Sequence, residues 1–259
     1  MRDLLGDLFE NQPLDPMVSA RQGAKASLRK RFYKNASVNG AGEGGFAILL
    51  DGKPVKTPQR RTLAAPSRAL AETIAQEWHA QETVIDPARM PATRLANVVI
   101  DGVADQAAAV TDEVTKYLGS DLLCYRADTP PGLVTKQAQH WDPVVAWACD
   151  TLGARFVLVE GIVHAQQPDD TITKARAAIP QDSWRLGAVA SLTAITGSAL
   201  LALALNAGVI DAEAAWAAAH VDEDWQMEAW GRDDEALARR AFRKADFDAA
   251  ARVLVLAKV

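Results

Sequence analysis

From Phe32 the chain alternates. Phe32, Lys34, Ala36 and Val38 fall on one side of an extended run, with Tyr33, Asn35 and Ser37 on the other, which is the two-residue period of a strand. A glycine cluster, GAGEGG at 40–45, leads into FAILL, and Asp51-Gly52 separates that run from KPVKTP. Asp-Gly between β-favouring runs predicts a tight hairpin. Pro54 and Pro58 place their segment at a sheet edge, because proline has no N–H to give to a ladder. RTLAAP offers one more strand, so residues 32–65 read as an antiparallel β-meander.

The period changes after Pro66. Ser67 stands as an N-cap, and Leu70, Ile74 and Trp78 form an apolar stripe facing the meander. VIDPARMP at 84–91 has two prolines and no period, and reads as a junction. Beyond it the pattern is mostly helical. Leu95, Val98, Val99 and Val103, then Val110, Val114 and Leu118, mark one long or broken helix, and Trp141, Val144, Val145 and Ala148 mark another. FVLVEGIVH at 156–164 reads as a lone hairpin turning at Glu160-Gly161. Residues 186–210 carry no charge. A helix apolar all round at the centre of a bundle and a membrane-associated segment both fit that run. Its many Ala, Gly, Ser and Thr residues, and the lack of an aromatic belt, point to the first. Asn206 and Gly208 end it. Asp211 caps one continuous helix closing at Gly231, and a mixed-charge helix begins at Asp233. No repeat is visible, which argues against a solenoid. The expected architecture is α+β: a flexible N-terminal arm over residues 1–30, a small β-meander-plus-helix domain over 31–91, and a larger, mainly α domain over 92–259.

Composition narrows the function classes. Apolar residues make up 49% of the 259 and charged residues 24%, the balance of a soluble globular protein. A formal net charge of -5 argues against nucleic acid as a partner. Two cysteines, Cys124 and Cys149, make neither a disulfide framework nor a four-cysteine zinc site, and both read as buried structural residues in a reducing compartment. The opening MRDLLGDLFENQPLDP mixes acids with Leu and Phe, unlike a secretory signal or a transit peptide. The basic run Arg21, Lys25, Arg29, Lys30, Arg31 and Lys34 reads either as a solvated tail or as an arm that docks on an acidic partner.

Catalytic signatures are sparse. GAGEGG fits G-x-G-x-x-G, but a strand-like run follows the glycines where a dinucleotide site needs a helix, so it reads as a hairpin loop. No phosphate loop and no G-x-S-x-G elbow occur. His79, His140, His164 and His220 show no metal-ligand spacing, so no metal site is expected. The unusual segment follows Asp211. Trp216, His220, Glu223, Met227 and Trp230 are spaced 4, 3, 4 and 3 and on a continuous helix share one face. Glu223 sits within that largely apolar stripe, while Asp222 and Asp224 point elsewhere, into solvent. A carboxylate there must find a partner. It either pairs with an internal Arg or caps another helix, or it stands at a wet cleft or partner surface rimmed by Trp and Met. A small-molecule enzyme with a cleft around Glu223 and His220 is the competing reading.

Four segments occur together and in order: RFYKNASV at 31–38, ILLDGKPVKTP at 48–58, EWHAQETVIDPARMPATRLANVVID at 77–101 and DEDWQMEAWG at 222–231. Over roughly residues 30–245 the chain resembles the ATP synthase F1 complex assembly factor 2 family. The resemblance implies a small α+β domain followed by an orthogonally packed helical domain. It implies an assembly chaperone that binds the unassembled alpha subunit of F1 and shields it until the beta subunit arrives, with no catalysis, no cofactor, no small-molecule substrate and no stable membrane insertion. The family's acidic helix motif falls on Glu223, Asp224, Trp225 and Gln226, so that Trp216, Met227 and Trp230 complete the expected partner surface. Its EW motif places a tryptophan at Trp78, which the stripe with Leu70 and Ile74 makes a domain-packing residue. The expected location is the cytoplasm of a bacterium, or the mitochondrial matrix for a processed eukaryotic chain.

Overall fold

The computed structural model describes residues 28–42, 45–161, 163–231 and 233–257. Strands β1 (Ala36–Gly42) and β2 (Gly45–Leu50) pair antiparallel, closing on Gly42 opposite Gly45. The GAGEGG cluster is therefore the end of a hairpin. Gly45 has φ +89°, and a Cβ there would lie 2.4 Å from the Ala65 carbonyl oxygen, so only glycine fits. Asp51 (φ 46°) and Gly52 (φ 79°) make the expected tight turn into β3 (Lys53–Pro54), which pairs with the end of β2.

The meander stops there. β4 (Ala64–Ala65) returns to pair with Phe46 and Ala47 of β2 instead of adding beyond β3. Pro54 has no donor for a further strand. Residues 55–63 instead fold out as a tight turn, with the Val55 N–H on the Ile48 carbonyl and the Leu63 N–H on the Val55 carbonyl, each at 2.9 Å. This turn clasps the helical body. Asp101 accepts from the Thr57 hydroxyl at 2.6 Å and the Gln59 N–H at 3.0 Å, and Arg61 donates to the Ile100 carbonyl at 2.6 Å while pairing with Asp105.

Helix α1 (Arg68–His79) packs on β1 and β2 with Leu70 and Ile74 fully buried. Ser67 caps it, accepting from the Leu70 N–H at 3.2 Å, and its own hydroxyl donates to the Leu256 carbonyl at 2.6 Å. Trp78 is half-buried. It meets Tyr33 at 5.9 Å, and the Tyr33 hydroxyl donates to the Trp78 carbonyl at 2.6 Å. Glu77 reaches across the expected junction and accepts from the N–H groups of Ala92 and Thr93 and the Thr93 hydroxyl, each at 2.7 Å. These are the opening donors of α2 (Pro91–Val98), whose N-cap residue Met90 supplies no side-chain cap. A residue on one helix thus caps the next. Burial pushes the Glu77 carboxyl above its ordinary range, against the pull of those three bonds.

The expected arm lies outside the described residues up to position 27. Residues 29–31 are tied down, with the Arg31 N–H on the Thr83 carbonyl and the Ile85 N–H on the Arg29 carbonyl. The Arg31 guanidinium also binds the carbonyls of His79 and Gln81 just past α1, where helix carbonyls lack partners and a cation is favoured. This member of the basic run is a structural clamp.

The helical body follows. α2 continues through one π-helical turn, Val99–Val103, and breaks before α3 (Ala107–Leu118). β5 (Tyr125–Arg126) precedes α4 (Pro131–Leu152), in which Trp141, Val144 and Ala148 are buried. Residues 156–164 do not form the expected hairpin. β6 (Val159–Glu160) pairs in parallel with β5. The Gln167 side chain binds both the N–H and the carbonyl of Val157 and takes the place a second strand would fill. α5 (Asp169–Arg176) leads to α6 (Ser183–Thr196) and α7 (Ala199–Ala207). The uncharged run is therefore two helices and not one. Gly197 ends α6 at φ 72°, and Ser198 caps α7. Among the described residues no helix is long and apolar enough to cross a membrane. α8 (Ala212–Ala219), α9 (Val221–Trp230) and α10 (Asp234–Leu256) complete the chain. α6 packs against α3, α7 and α10, and closely on the π-helical turn, where a Cβ on Gly187 would lie 2.5 Å from Val99.

The start of α7 is held by a fully buried carboxylate. Asp121 accepts from the Ser198 hydroxyl at 2.7 Å and from the N–H groups of Leu200 and Leu123 at 3.0 and 3.1 Å. Burial raises its pKa to about 6, with those bonds opposing the rise. Two outcomes are expected. Glu77→Ala leaves two helix-opening N–H groups without their acceptor and lowers stability by about 2 kcal/mol, a fall of about 5 °C in melting temperature by circular dichroism. For Asp121 the folded pKa lies above the unfolded one, so its stabilising contribution is complete below about 3.8 and is lost as pH rises through about 6. The stability of the native chain relative to Asp121→Asn therefore increases as pH is lowered from 7.5 to 5 in denaturant titrations. No change across that range refutes the assignment.

Candidate functional site

Residues 211–231 do not make one helix, because α8 and α9 are separated at His220 (φ -120°, ψ 18°). In a continuous helix the His220 N–H would bond the Trp216 carbonyl. Here the His220 side chain takes that carbonyl, with Nδ1 2.8 Å from it, and the backbone N–H turns to Ala217 at 3.2 Å. A side chain competing for its own helix carbonyl breaks the ladder. Nδ1 therefore carries the proton, which leaves the buried Nε2 with no hydrogen bond and 3.8 Å from a Glu223 oxygen. Burial, aided by Arg240 and Arg243, lowers the His220 pKa against the opposing effects of the Trp216 carbonyl and Glu223.

The break splits the expected face. Asp211 caps α8, accepting from the Ala214 N–H at 2.8 Å. Trp216 is buried, stacked on His220 at 3.8 Å and edge-on to Phe247 of α10 at 5.1 Å, so it forms no part of an open surface. His220, 1% exposed, does not open a cleft with Glu223. α8 is rooted further by the Trp141 indole N–H, which donates to the Ala218 carbonyl at 2.7 Å.

α9 lies outward and is held by polar ties. Asp222 and Asp224, expected in solvent, are engaged. Asp222 accepts from Gln137 of α4 at 2.8 Å, and Asp224 pairs with Arg240 of α10. Lys136 of α4 pairs with Glu228 at 2.6 Å and lies 5.4 Å from the Trp225 ring. Trp225 is half-buried across Gly132, where a Cβ would come within 2.5 Å of the indole. It therefore packs inward against α4. Three acids in the opening turn of α9 suit the positive end of a helix.

Glu223, Gln226, Met227 and Trp230 remain on the outer side. The Glu223 side chain is 53% exposed, 3.8 Å from Arg243, and Trp230 is 82% exposed. Glu223 is neither sealed in an internal pair nor free. A groove of about 350 Å³ runs between this face and α10, where Arg239, Arg240 and Arg243 line it. Arg239 pairs with Glu235 at 2.8 Å, and Arg243 donates to the Ile195 carbonyl at 2.5 Å. Sequence reasoning missed these three arginines. Their spacing places them on neighbouring turns of α10, but nothing in the sequence shows that α10 folds back beside α9.

Elsewhere, Cys124 is buried and Cys149 half-buried. Burial raises the Cys124 thiol to about 12, away from reactive thiolate character. Among the described residues no group of three or more His, Cys, Asp or Glu side chains is placed to hold a metal ion.

Comparison with known proteins gives the family. The family model described as ATP12 chaperone protein matches residues 30–149. The crystal structure of Atp12 from Paracoccus denitrificans is 41% identical, covers 89% of this chain and 99% of its own, and superposes with a TM-score of 0.81. The chain belongs to the ATP12 chaperone family. A variant of the Paracoccus protein with one aspartate replaced by lysine has the same TM-score at 40% identity, over 91% of this chain and 100% of its own. A protein of Agrobacterium tumefaciens assigned as a candidate chaperone is 49% identical, with a TM-score of 0.85 over 100% of this chain and 97% of its own. The mitochondrial protein atp12 of Schizosaccharomyces pombe is 24% identical over 220 residues, 80% of this chain and 75% of its own. The ATP12 match ends within α4, so α8 and α9 lie beyond the residues it covers.

Gly132→Ala tests how α9 is seated. The added methyl must displace the Trp225 ring, at a cost of about 1–3 kcal/mol. Amide hydrogen exchange is expected to quicken in α9 while α6 stays protected. Equal quickening in both helices contradicts the separate seating.

Proposed function

We propose that this ATP12-family chaperone acts in ATP synthase assembly, binding the unassembled F1 alpha subunit through the outer face of α9 and the groove beside α10. The observation that carries this reading is Trp230, 82% exposed beside the half-buried Met227 and the open Glu223 carboxylate. A large aromatic held in water above a small groove fits a binding anchor better than a packing residue. Glu223 supplies polarity next to that anchor, and the arginines of α10 balance its charge. Such a face binds an apolar surface reversibly and keeps the unoccupied chaperone from self-association. The role is binding and not catalysis, since the carboxylate's nearest histidine is closed from solvent. The site of action is the bacterial cytoplasm, or the mitochondrial matrix in a eukaryote.

Purified chain mixed with alpha subunit, without nucleotide, is expected to co-elute on gel filtration and to suppress alpha-subunit aggregation measured by light scattering. Glu223→Lys and Trp230→Ser each weaken the complex by about tenfold or more while the melting temperature stays within about 2 °C, as fits exposed positions. Undiminished aggregation at several-fold chaperone excess overturns the reading. Full binding by both variants moves the surface away from α9.

A further inference from the structure

We propose that a groove at the N-terminal sheet, sharing no lining residue with the α9–α10 face, is a second docking surface for an acidic, apolar segment of a partner protein. The groove measures about 660 Å³, and its apolar walls include Leu28, Phe32, Pro54, Trp78 and Ile85. Leu28 is 46% and Phe32 58% exposed, which is unusual for large apolar side chains placed together. Arg29, Lys53 and Lys56 also line it. Arg29 lies over the Phe32 ring at 4.4 Å, and the Lys56 ammonium donates to the Thr62 hydroxyl at 3.0 Å. Among the described residues none of the three cations has a carboxylate within ion-pair distance.

The one acid in the lining, Asp51, is already used. Its carboxylate accepts from the N–H groups of Lys34 and Asn35 at 2.9–3.1 Å, and those bonds hold it ionised and below its ordinary pKa. In a chain of net charge -5, this is a local reversal of sign, and it selects an occupant carrying carboxylates next to large apolar side chains. The adjoining sheet edge ends in Pro54, which has no N–H to offer, so strand addition is not the mode of capture. The occupant is held by its side chains, apolar groups on Phe32 and Trp78 and carboxylates on the cationic rim. Residues 3–10, outside the described residues, read DLLGDLFE and carry the same chemistry, so occupation by the chain's own segment is the rival the test must separate.

The test is fluorescence anisotropy of the full chain with a labelled peptide alternating Asp or Glu with Leu or Phe, beside a control in which every acid is lysine. The acidic peptide is expected to bind in the micromolar range and more weakly as salt is raised, and the lysine peptide is expected not to bind. Lys53→Glu with Lys56→Glu, and separately Phe32→Ser, weaken binding by about tenfold, and Trp230→Ser leaves it unchanged. That last arm separates this groove from the α9 face, so either can fail alone. No binding, equal binding of both peptides, or wild-type affinity in the charge-reversed variant overturns the proposal. So does tighter peptide binding when Leu4, Leu5, Leu8 and Phe9 are all replaced by Ser, because the groove then belongs to the chain's own segment.

Discussion

Beyond Arg185 the helix α6 carries no charge, and water has no good arrangement around such a stretch, so most of its surface must be covered. Ten of the fourteen residues of α6 are buried, and each large side chain among them contributes about 2 kcal/mol by leaving water. The order of the helical body follows from this demand. α3, α7 and α10 close around α6, and Gly187 lets the π-helical turn approach to a distance that a methyl would block. Most polar groups near this core are satisfied individually, although the buried Thr193 hydroxyl of α6 itself finds no hydrogen-bond partner. Asp121 anchors the start of α7, and Arg185 binds the Asn206 side chain at 2.8 Å. Arg94, 7% exposed, pairs with Asp246. A buried pair of that kind holds its two helices in one arrangement, because either partner alone would be a stranded charge.

Features written in local residue order were legible. The Asp51-Gly52 turn, the Ser67 cap and the Leu70–Ile74 stripe each depend on a few neighbouring residues, and each stands where the pattern placed it. The break between α6 and α7 also had a local signal, glycine followed by serine at 197–198, overridden by the uninterrupted apolar run around it. The break at His220 had no signal of that kind. It arises because an imidazole competes for the Trp216 carbonyl, a contest decided by packing against α10. Glu77, Asp121 and Gln167 were illegible for the same reason. Each serves a backbone group 10 or more residues away, and no spacing rule reports such a debt. Part of the expected partner surface suffered likewise. Glu223, Gln226, Met227 and Trp230 face outward, while Trp216 and Trp225 turn inward once the helix divides.

The two halves of that divided helix are seated by different forces. α8 is rooted in the core through Trp216, Ala215 and Ala218, whereas Val221 is the buried residue of α9. What holds α9 is charge and hydrogen bonding to α4 and α10, together with one indole on one glycine. Such ties are directional and sensitive to ionic strength, so they set the angle of the helix without sealing its outer side. Exposure of Trp230 follows from that arrangement.

The Ser67 hydroxyl caps α1 and also holds the Leu256 carbonyl, 189 residues further along. Arg94 and Asp246 are 152 residues apart. During synthesis, therefore, the sheet and the helices behind it cannot close these contacts until α10 has been made. A nascent fragment that stops short of α10 has α1 and α2 without these two ties to the rest of the chain.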